Sequence, residues 1–391
     1  MTRLGPEPHI TAMVDANPPQ RIERLVPLAD ALACIDRLVM PVAPGRSTLA
    51  QAAGLTLADD IVYRYAHPAS AIALRDGIAV DAAATLDASA YAPAALAGEP
   101  AFVDVGDPLP AGTDAVAPLD TVELRAHAVH ALAPLASGDG VLSQGGDAAA
   151  GDLLVQAGAR LRPSVVAALS ALGVSEVEIR RPLIRINVTH SSPLSDAIIR
   201  AIAGVLSQAA GTAGARVLLG QHTRDSRFDE LDDVTPTASA VMLIGGSGSG
   251  RRDDSVRDLA RLGSVAFHGV ALAPGETAAF GLFQERPVLI VPGRLDAALA
   301  VWLTLGRRMV ARLAGHHDAE QGSFVTLTRK IASTLGHAEI VLVRRDAGGV
   351  APFASGYLSL QSIASADGYV VVPADSEGYP AGATVELRPL P

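Results

Sequence analysis

Cysteine is nearly absent from this chain. Cys34 stands alone in 391 residues, which excludes an internal disulfide framework and any cysteine-rich metal site and fits a reducing cytosol. Within a helical pattern, its expected place is that of a small buried hydrophobe. Charge is also scarce, at 18% of residues, and the net value of -10 excludes the extended basic field that a nucleic-acid or membrane-surface binder needs. An anionic ligand would therefore have to be held locally. No charged-then-apolar leader is visible, and no apolar run is long enough to span a bilayer, so the chain is expected to be soluble and cytoplasmic, with no nucleic-acid or membrane partner. A P-loop, a serine-histidine-acid triad, a zinc pattern and an internal repeat are all missing. Apolar residues are abundant: 49% of the chain is hydrophobic, ample for burying a core in roughly two to four domains.

The pattern divides the chain into segments. Residues 1–20 are proline-rich and aperiodic, and read as a flexible tail. "IERLVPLADALACIDRLV" has helical spacing, and with "RPSVVAALSALGVSEVEIRRP" it forms a helical and extended connector over 21–62 and 148–182. Short strands and turns over 63–147 indicate a small β-rich domain. Over 183–316 strands alternate with helices, which predicts an α/β domain on a central parallel sheet with its ligand at the carboxyl ends of the strands. Residues 317–391 return to β character and read as a C-terminal β-barrel.

Three loops fall at the predicted strand ends: "THSSP", "GGSGSGRRDD" and "PGRLDA". The second lies between an apolar strand, "AVMLI", and a helical pattern, "DSVRDLARLG". Glycine turns of that kind hold anions, because freed backbone N–H groups and the positive end of the following helix point at the ligand.

At this point the residues resemble a known family. "ALRDGIAV", "VGDPLPAGTDAV", "GGDAAAGDLLVQAGARLRP", "LGVSEVEIRRPLIRINVT", "GGSGSGRRDD", "FHGVALAPGETAAFG" and "VPGRLDAAL" occur in the order and spacing of the molybdopterin molybdenumtransferases, the molybdenum insertases related to the large domain of gephyrin. The resemblance implies a multidomain, homodimeric protein of molybdenum cofactor biosynthesis whose α/β domain binds molybdopterin. Such enzymes cleave adenylylated molybdopterin with the help of Mg²⁺ and place molybdate on the dithiolene. By resemblance, Asp76 and Asp253 are the candidate catalytic acids, and Asp147, Asp225 and Asp253 the candidate metal ligands. The candidate cofactor-binding residues are Thr189, Ser191 and Ser192, then Gly245, Gly246, Ser247, Ser249, Gly250, Arg251 and Arg252, then Pro292, Gly293 and Arg294. Taken as residues alone, Asp76 and Asp147 are also ordinary turn aspartates, Asp253 and Asp254 are also capping acids, and Arg251–Arg252 is also a solvated pair.

The departures from the family bear on the chemistry. Its strand-end Thr-Gly-Asp-Glu reads Thr189, His190, Ser191 and Ser192 here, so Ser191 and Ser192 stand for the acid pair; its two lysines are replaced by Ala273 and Glu276, and the Asn-Pro of its Pro-Gly-Asn-Pro by Arg294 and Leu295. Serine cannot supply the formal charge that attracts Mg²⁺. Arg75, Arg251, Arg252 and Arg294 could restore positive charge, since guanidinium forks suit phosphate. His190 is a candidate acid-base group, whereas His268 reads as structural and His316–His317 as a helix end. Two functions follow: a divergent insertase, or a non-catalytic carrier that delivers molybdopterin to a molybdenum enzyme client.

Overall fold

The structure is a computed structural model, and it describes residues 20–125, 128–188, 196–220, 238–250, 253–316 and 322–391. It contains two compact units. One comprises residues up to 58, 158–167 and 175–391; the other comprises 59–157 and 168–174.

The larger unit is built on a six-stranded sheet. Leu183–Val188, Arg216–Leu219, Ala240–Ile244 and Arg286–Val291 run parallel. Ala279–Phe283 and Ser264–His268 extend that sheet antiparallel, so it is mixed rather than wholly parallel. The antiparallel edge arises from a tight hairpin in which Gln284 and Glu285 both take positive φ, 47° and 62°, the twist that favoured two-residue hairpins require. Side chains alternate across the sheet. Ala240, Met242 and Ile244 join a core with the Asp196–Thr212 helix and Trp302, while Val241 and Leu243 pack against Val256 and Leu259 of the Ser255–Leu262 helix. Every residue of Ala240–Ile244 is buried, which explains why its sequence is uniformly apolar.

The first helix is shorter than its apolar spacing predicts, spanning Leu28–Leu38 with Pro27 at its N-cap. Proline disfavours helical backbone in the residue before it, so Val26 and Pro27 pair instead as a strand with Val270 and Ala271. Cys34 is half-buried on this helix rather than fully enclosed. The long helical pattern after Gly293 is interrupted by a π-helical turn over Trp302–Gly306, between helices Leu295–Val301 and Arg307–Ala314.

The C-terminal strands form open sheets, and among the described residues none closes into a barrel. Ala338–Asp346 pairs with Gly349–Ala354, with Gly368–Val372 and with Val270–Ala273. Its alternate residues serve two cores, Ile340 and Leu342 facing the large one and Val341 and Val343 a smaller one. A barrel would turn one of those faces outward or into a lumen.

In the smaller unit, Gly77–Val80 lies between Ala101–Val103 and Ala115–Ala117. A Cβ at Gly77 would stand 2.2 Å from the Ala117 carbonyl oxygen, so only glycine permits that approach. Among the described residues no helix is long and apolar enough to cross a membrane.

The hairpin supplies a test. Left-handed backbone costs a residue with a Cβ about 1–2 kcal/mol. Replacing Gln284–Glu285 by Asn-Gly is therefore expected to stabilise the larger unit by about 1 kcal/mol or more, read as a higher urea midpoint. An unchanged or lower midpoint would show that the present side chains compensate the strain.

Candidate functional site

Three parallel strands end level with one another. Val188 is in register with Ile244, and Ile244 with Val291. Leu183–Val188 pairs on one side with the next strand in sequence and on the other with Ala240–Ile244, so the chain reverses its direction of travel across the sheet between them. A crevice at the carboxyl ends beside such a reversal is where open α/β sheets bind ligands. The loop after Val188, with Thr189, His190, Ser191 and Ser192, lies outside the described residues, as do Asp225, Arg251, Arg252 and His317. The other two loops, after Ile244 and Val291, are described.

The loop after Ile244 begins with two glycines in left-handed conformation, Gly245 at φ 97° and Gly246 at 72°. Gly245 donates its N–H to the Val291 carbonyl at 2.7 Å, and a Cβ on Gly293 would lie 3.7 Å from the Gly245 Cα. The glycine turn is thus pressed against Pro292–Gly293. Its carbonyl oxygens are turned inward and held. Ser255 donates its hydroxyl to the Gly245 carbonyl at 3.1 Å, and Gln20 Nε2 donates to the carbonyls of Gly246 and Gly248, each at 2.7 Å. His268 Nε2 lies 2.9 Å from the Ser247 carbonyl. A carbonyl can only accept, so Nε2 carries the hydrogen and His268 acts as a structural brace. Ser247 is buried and its hydroxyl is bonded to Thr277 Oγ1 at 2.9 Å, which leaves its backbone rather than its side chain for a ligand.

Asp253 completes the loop from within. Its Oδ2 accepts from the Gly250 N–H at 2.8 Å. The same oxygen would lie 2.8 Å from a Cβ at either Gly248 or Gly250, so the Gly-Ser-Gly spacing makes room for a carboxylate on both sides. An arriving anion competes with Asp253 for the Gly250 N–H. Asp254 occupies the N-cap of Ser255–Leu262 but makes no side-chain capping bond.

Arg294 is already engaged. It caps Leu295–Val301 and grips Asp296 with two bonds, Nε to Oδ1 at 3.1 Å and Nη2 to Oδ2 at 2.5 Å. That hydrogen bond is the main reason its guanidinium is held above the ordinary arginine value. It also lies over the Tyr357 ring, 5.5 Å from the centroid. Glu276 turns its carboxylate onto the Gly275 N–H at 3.0 Å.

In the smaller unit, Asp76 Oδ1 accepts from the Val105 N–H at 2.8 Å, and Arg75 lies against Gly140. Asp147 stands 3.9 Å from His67 Nε2. These contacts describe loop braces. Among the described residues no group of three or more His, Cys, Asp or Glu side chains is placed to hold a metal ion. The described donors therefore do not assemble a Mg²⁺ site. Gln20 and Thr277 were missed by sequence reading. Both act through contacts distant along the chain, which leave no periodic or motif signal.

Comparison with known proteins identifies the family and the fold. Residues 26–173 match the MoeA N-terminal region (domain I and II), and residues 325–390 match the MoeA C-terminal region (domain IV). Molybdopterin molybdenumtransferase 1 of Mycobacterium tuberculosis is 27% identical over 80% of this chain and 79% of its own length. The molybdopterin molybdenumtransferase of Bacillus subtilis is 24% identical over 85% and 86%. The crystal structure of the molybdopterin biosynthesis moeA protein from Pyrococcus horikoshii has the same fold, with a TM-score of 0.77 at 24% identity, covering 93% of this chain and 99% of that one.

The role assigned to Asp253 is testable. Gly248→Ala drives a methyl group into its carboxylate and should release the Gly250 N–H. Amide exchange across 245–254 is expected to quicken by about tenfold, the worth of one net hydrogen bond of roughly 1–1.5 kcal/mol. Unchanged exchange would mean that Asp253 does not brace the loop.

Proposed function

Because the chain belongs to the MoeA family, we propose that it acts in molybdenum cofactor biosynthesis as a molybdopterin molybdenumtransferase-like protein. The glycine turn receives the terminal phosphate of molybdopterin or adenylylated molybdopterin, and molybdate is the second substrate. The observation that carries this reading is the pair of left-handed glycines, Gly245 and Gly246, pressed against Pro292–Gly293 beside a reversal point of the sheet. Such a turn offers backbone N–H groups and a helix N-terminus to an anion without needing a basic side chain, which suits a chain of net charge -10. Backbone donors from Gly246 to Ser249 bind the phosphate, and His268, Gln20 and Ser255 hold the turn in shape from behind by taking up its carbonyls.

Arg251 and Arg252 add positive charge at the same loop, while Thr189, Ser191 and Ser192 contribute hydroxyls from the neighbouring strand end. Asp253, on the glycine loop itself, is the acid that this reading assigns to the reaction. Mg²⁺, where the reaction uses it, would arrive with the substrate phosphates and water rather than on a carboxylate cluster of the described residues. The protein is cytoplasmic and homodimeric in this reading.

The direct experiment incubates the purified chain with adenylylated molybdopterin, Mg²⁺ and molybdate, following AMP release and retained pterin together. Molybdate-dependent AMP release is expected. Asp253→Asn keeps an acceptor for the Gly250 N–H but removes the charge, so it should lower AMP release by about tenfold or more while loop exchange stays unchanged. If both hold at wild-type levels, Asp253 is structural. Tight pterin retention without AMP release would make the chain a carrier, and neither activity would overturn the reading.

A further inference from the structure

Away from the glycine turn, the larger unit contains a cavity of about 780 Å³ between the Leu28–Leu38 helix, the Arg307–Ala314 helix and the C-terminal strands. Cations on its wall are answered within the chain: Arg308 clamps Asp36 with both prongs at 2.6 Å, and Arg388 pairs with Glu386 at 2.7 Å. The six-stranded sheet holds a cation of another kind. Among the described residues three charged side chains are buried, Arg185, Asp296 and Glu339. Asp296 holds Arg294, and Glu339 accepts from the Ser333 hydroxyl at 2.6 Å and the Gly356 N–H at 2.9 Å. Arg185 is 8% exposed, its Nε donates to the neutral Asn187 Oδ1 at 3.0 Å, and no described carboxylate pairs with it. Desolvating a cation without a counter-charge is strongly unfavourable.

The sheet fixes where this cation lies. Ile184, Ile186 and Val188 face the large core, so Arg185 and Asn187 project from the opposite face, level with Val241 and Leu243 of the neighbouring strand. The Ser255–Leu262 helix packs on Val241 and Leu243 from that same face, and the glycine turn leads into this helix. The Arg185 side chain bends toward the carboxyl end of its strand, because the residue it donates to stands two positions on, a rise of about 6.6 Å. Asn187 directly precedes Val188, which is level with Ile244 and hence with the start of the turn.

The amide that aims the guanidinium is itself fixed. A Cβ at Gly220 would stand 1.9 Å from Asn187 Oδ1, so only glycine leaves room for that oxygen, and the Gly220 N–H is tied to the Ile186 carbonyl at 2.8 Å. With Nε engaged, the two Nη groups keep four N–H donors in a planar fork, which matches the oxygens of a phosphate.

We infer that Arg185 is a phosphate-binding residue, oriented by Asn187, which takes the terminal phosphate oxygens of molybdopterin that the backbone donors of the glycine turn leave unbound. The inference rests on the reading of that turn as the phosphate site. Arg294 is neutralised by Asp296, so Arg185 is the described cation whose charge goes to the ligand.

The test measures molybdopterin affinity and the urea midpoint of the ligand-free full chain for the wild type, Arg185→Lys and the paired change Arg185→Met with Asn187→Leu. The pair removes donor and acceptor together and strands neither. It is expected to bind molybdopterin at least about tenfold more weakly, while its midpoint stays level or rises because apolar atoms replace a buried cation without a counter-charge. Arg185→Lys keeps the charge without the fork and should fall between. A purely structural arginine gives the opposite pattern, a lower midpoint with affinity unchanged. A lowered midpoint or unchanged affinity in the paired variant overturns the inference, as does a loss of affinity for molybdate in place of molybdopterin. If the wild type binds molybdopterin and the paired variant binds it equally well, the inference alone falls; if the wild type binds none, the reading of the glycine turn falls with it.

Discussion

Everything at the candidate site depends on three parallel strands stopping at the same level. Because Val188, Ile244 and Val291 are in register, the loops that follow them emerge side by side. The bond from the Gly245 N–H to the Val291 carbonyl then ties the glycine turn to the Pro292–Gly293 turn. Register in a parallel sheet is set by burial on both faces, since a slip of one residue would exchange Met242 and Ile244 with Val241 and Leu243 between two differently shaped cores. The geometry of the site is thus inherited from side chains that never approach a ligand.

The turn is held by its acceptors so that its donors can be used. Carbonyls at Gly245, Gly246, Ser247 and Gly248 receive bonds from Ser255, Gln20 and His268. A turn left free to rotate its peptide units would also present carbonyl oxygens, which repel an anion. Gln20 makes this arrangement at a cost, since among the described residues its buried Oε1 meets no hydrogen-bond partner. Burying an unsatisfied amide oxygen costs roughly 1–3 kcal/mol, so two bonds to the turn must offset it.

The parts legible in the sequence were those with local signals. The apolar run "AVMLI", the glycine cluster after it and the Ser255–Leu262 helix were all readable, because burial on both faces, left-handed backbone and helical periodicity each leave a mark within a few residues. His268 was readable as structural because no partner ligand stood near it in sequence. Other features were hidden for physical reasons. Gln20 belonged to a stretch read as a tail, and its bonds span more than 220 residues. The Gln284–Glu285 hairpin lacks the glycine or asparagine that ordinarily betrays positive φ. The C-terminal strands resembled a barrel because alternating apolar residues look the same whether a second core or a lumen lies behind them, and only pairing with Val270–Ala273 distinguishes the two.

The π turn shows most clearly why periodicity has limits. From Leu295 to Ala314 the residues are apolar enough to read as one helix, and in a regular helix each residue advances by about 100°. One inserted residue shifts every later side chain by about that angle. With the shift, Arg307 and Arg308 leave the phase set by Leu295–Val301 and join Leu303 and Thr304 on the cavity wall, while Met309 and Val310 stay in the core. Projected on an uninterrupted helix, the same residues would place the arginines by a phase that the folded chain does not keep. The Trp302 ring lies against Gly306, where a Cβ would come within 2.7 Å, so the turn also depends on a residue with no side chain. A bulky aromatic and a glycine four positions apart, inside an otherwise unbroken helical pattern, are the only sequence trace of the defect that sets the chemistry of this wall.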